Sequence, residues 1–363
     1  MFQFALEPEE RLIVDTARAF AREVLRPRHR QHEQQGLPAE LFAEYRNLGF
    51  AEMAVPTRYG GTQIGLLTRV LVLEELAWAD AGATLALQAL DWLGPVLESM
   101  AAVNAQEVIA DARTHPEHRI VCADGTAQVV LIGQHHFTGD LPYVPATNPK
   151  WLLIRCDQLL ALFRGNSLHC TQVDAAGLST AGGAQVVLEG SRARWQSLDS
   201  TLTAYTWAQI RITLAAMLVG VARAALEYAI DYTTTRFVFG RPVAQHQAPA
   251  FTLAEMRMLI EAARLATWCA AKRLEERKPG SLATAAYAYL EAVECALFCT
   301  REAVQLLGGH GFLRDHPVEK WMRDARALSL LCGGRDSAAD DVNVWGAAKW
   351  LEAAHEPPPA TEA

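Results

Sequence analysis

The chain has 363 residues, 51% of them hydrophobic and 20% charged, with a formal net charge of −8 and a pI near 5.8. That length is enough for two or three domains around a sizeable core. The acidic balance, with no Lys/Arg cluster interleaved with aromatics, argues against a nucleic-acid partner.

From residue 7 to about 118 the apolar spacing predicts helices. In ERLIVDTARAFAREVL, residues Leu12, Ile13, Ala17, Phe20, Ala21 and Val24 share one stripe, with the charges opposite. PAELFAEYRNLGF enters a helix at Pro38 and leaves it at Gly49. The Pro/Gly loop VPTRYGGTQIG separates it from two further amphipathic segments, LLTRVLVLEELAWADA and ATLALQALDWLGPVLESMA. The N-terminus, MFQFALEPEERL, has no basic region before its apolar residues, so no targeting leader is expected.

From 119 to 202 the period shortens. RIVCADGTAQVVLIG, KWLLIRCDQLLALFRG, SLHCTQVDA and AQVVLEGSRARWQSL are Val-, Ile- and Leu-rich runs broken by Gly, Asp and Asn, which predicts a small β-domain. From 203 to 352 long helical patterns return, enough for an antiparallel bundle, and 353–363 (ending EPPPATEA) is expected to be a loose tail. Within the bundle, ITLAAMLVGVARAALEYAI (212–230) carries Arg223 and Glu227 and is therefore expected to be a buried helix, with no membrane span. The predicted fold class is α+β, mainly α. It comprises an N-terminal helical domain (1–118), a shortened middle β-domain (119–202) and a C-terminal four-helix bundle (203–352).

The seven cysteines, 122, 156, 170, 269, 295, 299 and 332, show no CxxC spacing, and no metal site is expected. They read as small buried hydrophobes in a reducing cytoplasm, which also sets the expected location.

Three stretches carry a resemblance to a known family. They are EMAVPTRYGGTQIGLLTRVLVLEELAWADAGATLAL, TTTRFVFGRPVAQHQAPAFTLAEM and EAVQLLGGHGFLRDHPVEKWMRDAR. With the α–β–α order, they resemble the acyl-CoA dehydrogenases, flavoenzymes that oxidise acyl-CoA thioesters with FAD and pass electrons to an electron-transfer flavoprotein. In that family an Arg-x-x-Phe-Gly…Gln segment and a Gln-x-x-Gly-Gly segment reach across the subunit interface to the neighbour's FAD. The resemblance places Arg236, Phe239, His246, Gln247, Gln305, Gly308 and Gly309 in that role. Arg236 suits a phosphate oxygen bidentately, the two amides suit pyrophosphate or adenine, and the glycines let backbone approach.

The chemistry residues depart from the family. The base, commonly a Glu just before a Gly after Arg323-Asp324-Ala325, falls on Cys332, so no catalytic residue is assigned. A thiol at its ordinary pKa is a poor base. The alternative base location, near Ile210 in AYTWAQIRI, holds no carboxylate. RIVCADGTAQVVLIG lacks the flavin-cradling Thr-Glu-Pro-x-Ala-Gly-Ser-Asp pattern, and PYVPATNP has Pro145 where a hydroxyl belongs.

Residues that complete a neighbour's site remain, while those for the chain's own site are gone. This resembles the non-catalytic subunits of bacterial heterotetrameric dehydrogenases that act on steroid side chains and similar acyl groups, which implies a paralogous catalytic partner. The rival readings are a self-sufficient homo-oligomer using Asp336 or Asp340, and a binding scaffold without flavin contact. His310, His316 and the pair His135–His136 read as surface or loop residues.

Overall fold

The computed structural model describes residues 6–355, with side chains through 344. The N-terminal region runs α1 (Pro8–Phe20), a π-helical turn (Ala21–Leu25), α2 (Arg26–Gln35), α3 (Ala39–Asn47), α4 (Leu66–Ala79), α5 (Ala81–Leu87), α6 (Gly94–Ser99) and α7 (Ala102–Thr114). A capping box opens α1, with Glu7 and Glu10 satisfying each other's backbone, and Asp80 caps α5 by accepting from Ala83 N.

The middle region is a sandwich of two four-stranded sheets. One has the order β1 (Ile120–Asp124), β4 (Trp151–Cys156), β5 (Leu159–Arg164), β8 (Trp195–Ser197). The other has the order β2 (Val129–Leu131), β3 (His136–Val144), β7 (Ala184–Arg192), β6 (His169–Gln172). β1 and β4 pair in parallel and β4 and β5 form a hairpin. Because side chains alternate along a strand, β4 and β5 divide their residues between two cores. Leu152, Ile154, Ala161 and Phe163 face the second sheet, where Phe163 meets Phe137 edge-on at 5.2 Å. Trp151, Leu153, Leu160 and Leu162 face the helices. A strand buried on both faces reads as the continuous apolar run WLLI.

Asp199 then caps α8 (Ser200–Thr235), accepting from Thr201 N and Leu202 N. The short hairpin β9 (Phe237–Val238) and β10 (Arg241–Pro242) leads to α9 (Gln247–Glu275), α10 (Ser281–Leu306), α11 (Val318–Leu328) and α12 (Gly334–His355). The expected loose tail lies, from 356 onward, outside the described residues. α8 and α10 are long and apolar enough to cross a membrane, but 83% of the most apolar window of α8 is buried inside the protein. α8 is the central helix of the core, as the 212–230 run predicts.

Two buried ion networks lock the layers. Glu74 on α4 binds Arg223 (3.1 Å) on α8 and Arg264 (2.8 Å) on α9. Lys320 on α11 sits between Asp80 (3.1 Å) and Asp324 (2.5 Å), and Asp324 also accepts from Leu178 N at 2.7 Å. All three ionic side chains are essentially inaccessible. Burial alone pulls the Lys320 ammonium down, but its two carboxylates outweigh that and hold it well above the ordinary lysine range. The Arg-Asp-Ala segment is thus structural: Asp324 clamps the 178 loop, and Arg323 pairs with Glu319 and Glu33 at 2.7 Å each.

Candidate active site and its outer rim

Between the β-sandwich and the α11–α12 joint lies a cavity of about 740 Å³. Its walls are the end of β1 (Cys122, Ala123, Asp124), part of β3 (Leu141, Pro142, Tyr143), the 175–177 loop, α11 and Leu330–Gly333. It is the size of a small-molecule site.

Cys332 occupies its inner wall. It adopts φ +52°, followed by Gly333 (φ +84°) and Gly334 (φ +58°), so three successive left-handed residues turn the chain from α11 into α12. A Cβ on Gly333 would lie 2.5 Å from Asp124 Oδ2, so only glycine lets the turn close on β1. The Cys332 thiol donates to the carbonyl of Cys122 at 3.6 Å. Burial pushes this thiol up to about 12, with Asp124 adding to the rise and Arg211 opposing it. Behind it a void of about 10 Å³, lined by groups such as Leu85, Trp92, Leu214 and Leu331, holds at most one water. No acyl chain fits on that side of Cys332 in this conformation.

Among the described residues, Asp124 is the one acid lining the cavity, and reasoning from sequence missed it. Its Oδ1 accepts from Thr126 N (3.1 Å) and Oγ1 (2.6 Å), and its Oδ2 accepts from Ser337 Oγ (2.7 Å). Arg155 lies 4.0 Å away and is bidentate to Asp341 at 2.8 Å on both arms. Arg211, the residue after Ile210, bonds Asp341 and Ser337. Two arginines and two aspartates therefore form a closed buried network beside Cys332, and its carboxylates are engaged. Asp336 and Asp340 are exposed and do not line the cavity.

None of Arg236, Phe239, His246, Gln247, Gln305, Gly308 and Gly309 lines that cavity. They sit at the ends of α8 and α10 and at the start of α9. His246 braces the β9–β10 hairpin: Nε2 bonds Val238 O at 3.0 Å, and Nδ1 receives Arg241 at 3.2 Å. Those bonds require a proton on Nε2 and a lone pair on Nδ1. Phe239 at the hairpin tip has φ +51° and is 94% exposed. Arg236, Gln247 and Gln305 are exposed, and among the described residues their side chains have no partner. Gly308 has φ +59°, and neither Gly308 nor Gly309 has a heavy atom within 4 Å of where a Cβ would be. The two segments meet through Tyr232, one turn before Arg236, whose hydroxyl lies 2.5 Å from His310 Nδ1.

His310 and His316, read from sequence as surface or loop residues, are half-buried in the segment between α10 and α11 and are held by partners there. Their rings stack at 5.5 Å, Tyr228 bonds His316 Nδ1 at 2.8 Å, and Arg30 donates to His316 O. This cluster fixes the Gly308–Gly309 turn against α8 and α2.

Residues 7–106 match the family model for the acyl-CoA dehydrogenase N-terminal domain, and 201–343 match that for the acyl-CoA dehydrogenase C-terminal domain. The chain belongs to the acyl-CoA dehydrogenase family. It is 27% identical to the short-chain specific acyl-CoA dehydrogenase of Bos taurus mitochondria, over 92% of this chain and 89% of that one. It is 28% identical to the probable acyl-CoA dehydrogenase fadE25 of Mycobacterium leprae, over 91% and 93%. Its fold matches that of butyryl-CoA dehydrogenase from Megasphaera elsdenii with a TM-score of 0.80 at 23% identity, covering 96% of this chain and all of that one.

FAD is the cofactor of this family, and the two regions differ in how they suit it. Of the polar side chains lining the cavity, Gln128 and Arg326 are exposed and make no hydrogen bond or ion pair among the described residues, and Arg323 is paired with Glu319 and Glu33. Tyr143 OH is given to Gly182 O, and Pro142 and Pro145 have no N–H to offer. The ends of α8 and α10 and the start of α9, the outer rim, offer an unpaired guanidinium, two unpaired amides and bare glycine backbone, which suit a pyrophosphate and a purine.

Proposed function

We propose that this acyl-CoA dehydrogenase family chain is the non-catalytic subunit of a heteromeric enzyme, an α2β2 tetramer with a paralogous catalytic partner. In this reading Arg236, Gln247, Gln305 and the Gly308–Gly309 turn contact the phosphates and adenine of FAD held mainly by the partner, and His246 and Phe239 shape the hairpin that presents Arg236. FAD supplies the two-electron acceptor for α,β-dehydrogenation of an acyl-CoA, and electrons then leave to an electron-transfer flavoprotein. The observation that carries the reading is Cys332. The inner cavity wall presents a protonated thiol bonded to backbone, backed by a filled interior, where the family's chemistry needs a carboxylate.

The test is Arg236→Ala in the complex co-expressed with its partner. Loss of one charge-assisted contact to phosphate predicts FAD binding weakened by roughly tenfold or more. Unchanged FAD affinity would overturn the reading.

Asp124 supports one rival, a self-sufficient enzyme using this acid as base. That reading requires the lone chain to hold FAD and to lose turnover on Asp124→Asn.

A further inference from the structure

Away from the cavity and the outer rim, the last turn of α7 and the segment just after it gather three metal-ligating side chains. Asp111 and His115 are one helical turn apart. The chain then doubles back, His118 N donating to His115 O at 2.9 Å, and this brings His118 beside them. His118 Nδ1 lies 3.1 and 3.2 Å from the two Asp111 oxygens, and His115 Nδ1 lies 3.7 Å from Oδ1. One ligand atom from each residue falls within 4.8 Å of the other two.

Two features raise this above a chance surface cluster. The Asp111 carboxylate is held from behind by Trp151 Nε1 at 2.9 Å, from a fully buried indole on β4. A fixed donor behind a ligand is how metal sites orient their first shell. The spacings also suit a small cation: with metal–ligand bonds of about 2.0–2.1 Å, a tetrahedral edge is about 3.3 Å, between the 3.1 and 3.7 Å seen here. The two rings now stack at 4.4 Å and 17°, so convergence of both Nδ1 lone pairs requires each ring to turn about its side-chain bonds. His115 is 48% exposed and free to do so.

We propose that Asp111, His115 and His118 form a binding site for a borderline divalent cation, zinc foremost, with water completing the shell. Two imidazoles and one carboxylate favour zinc, cobalt or nickel over magnesium or calcium. The ion ties the end of α7, through Asp111 and Trp151, to β4 and stiffens the passage from the helical region into the sandwich. Its role is structural.

The experiment is titration of untagged, full-length protein with Co²⁺ followed by visible absorption, then displacement by Zn²⁺, for wild type and His115→Ala. His115 makes its polar contact with Asp111 alone, so its removal leaves the fold intact, checked by an unchanged Tm without metal. The expected result is one Co²⁺ per chain with bands of a nitrogen–oxygen site and no thiolate charge-transfer band, binding weakened roughly tenfold or more in His115→Ala. Equal affinity in the two proteins, a thiolate band, or no saturable binding would overturn the proposal.

Discussion

The Cys332 thiol and the Cys122 carbonyl face each other at 3.6 Å where the α11–α12 turn meets β1. The hydrogen bond requires a proton on sulfur, and burial raises the thiol pKa to about 12, so the thiol form holds throughout the neutral range. Cys122 beside it is also pushed up, chiefly by burial. Neither sulfur is an available nucleophile. Alkylation of native protein with iodoacetamide at pH 8, read by peptide mass spectrometry, is expected to leave Cys332 and Cys122 unlabelled until denaturant is added. Rapid native labelling of Cys332 would contradict this environment.

If Cys332 does no chemistry, removing it costs little. Cys332→Ala is expected to leave turnover of the mixed complex within about twofold of wild type, since it takes away one weak sulfur hydrogen bond. Cys332→Glu in the lone chain is expected to yield no dehydrogenation, because in the proposed reading FAD is held mainly by the partner subunit. Acyl-CoA oxidation measured with an artificial electron acceptor checks both.

Asp91 gives a pH signature unrelated to catalysis. It is buried, accepts from Ala54 N at 2.7 Å through one oxygen, and leaves the other without a partner. Burial raises its pKa from 3.8 to about 6, against the opposing pull of Arg69. The folded state therefore binds this proton more tightly than the unfolded one. The group's destabilising effect is fully present above pH 6 and fades as pH falls from 6 towards 4. The whole effect is about 3 kcal/mol in order of magnitude. The Tm difference between Asp91→Asn and wild type is expected to be more favourable to the variant at pH 8 than at pH 4.5. A pH-independent difference would refute it.

Lys320 tests the other buried network. Lys320→Met removes the one cation between Asp80 and Asp324 and leaves two carboxylates in a dry site, at a cost of about 3–5 kcal/mol. Chemical denaturation of the variant measures it. Adding Asp324→Asn is expected to recover part of the loss.

Much of the fold is legible where a short-range period carries the information. WLLIRC and LLALFR predict paired strands because both faces are buried, and the alternation decides which core each residue joins. The residues proposed to reach FAD can be picked out from sequence because they sit in contiguous motifs. The interior of the cavity is not. Asp124, Ser337, Asp341, Arg155 and Arg211 are joined across 126 to 213 residues of chain, and no local pattern announces that the acid ending β1 will be tied down by α12. The same holds for His310 and His316, whose hydroxyl partners lie 78 and 88 residues earlier on α8.

The most direct test of the split site is FAD stoichiometry, measured on this chain purified alone and again after co-expression with a dehydrogenase paralogue that carries the glutamate. Almost no flavin is expected on the lone chain, and about one FAD per heterodimer in the complex. A full complement of FAD on the lone chain, with acyl-CoA oxidation, would contradict the split site.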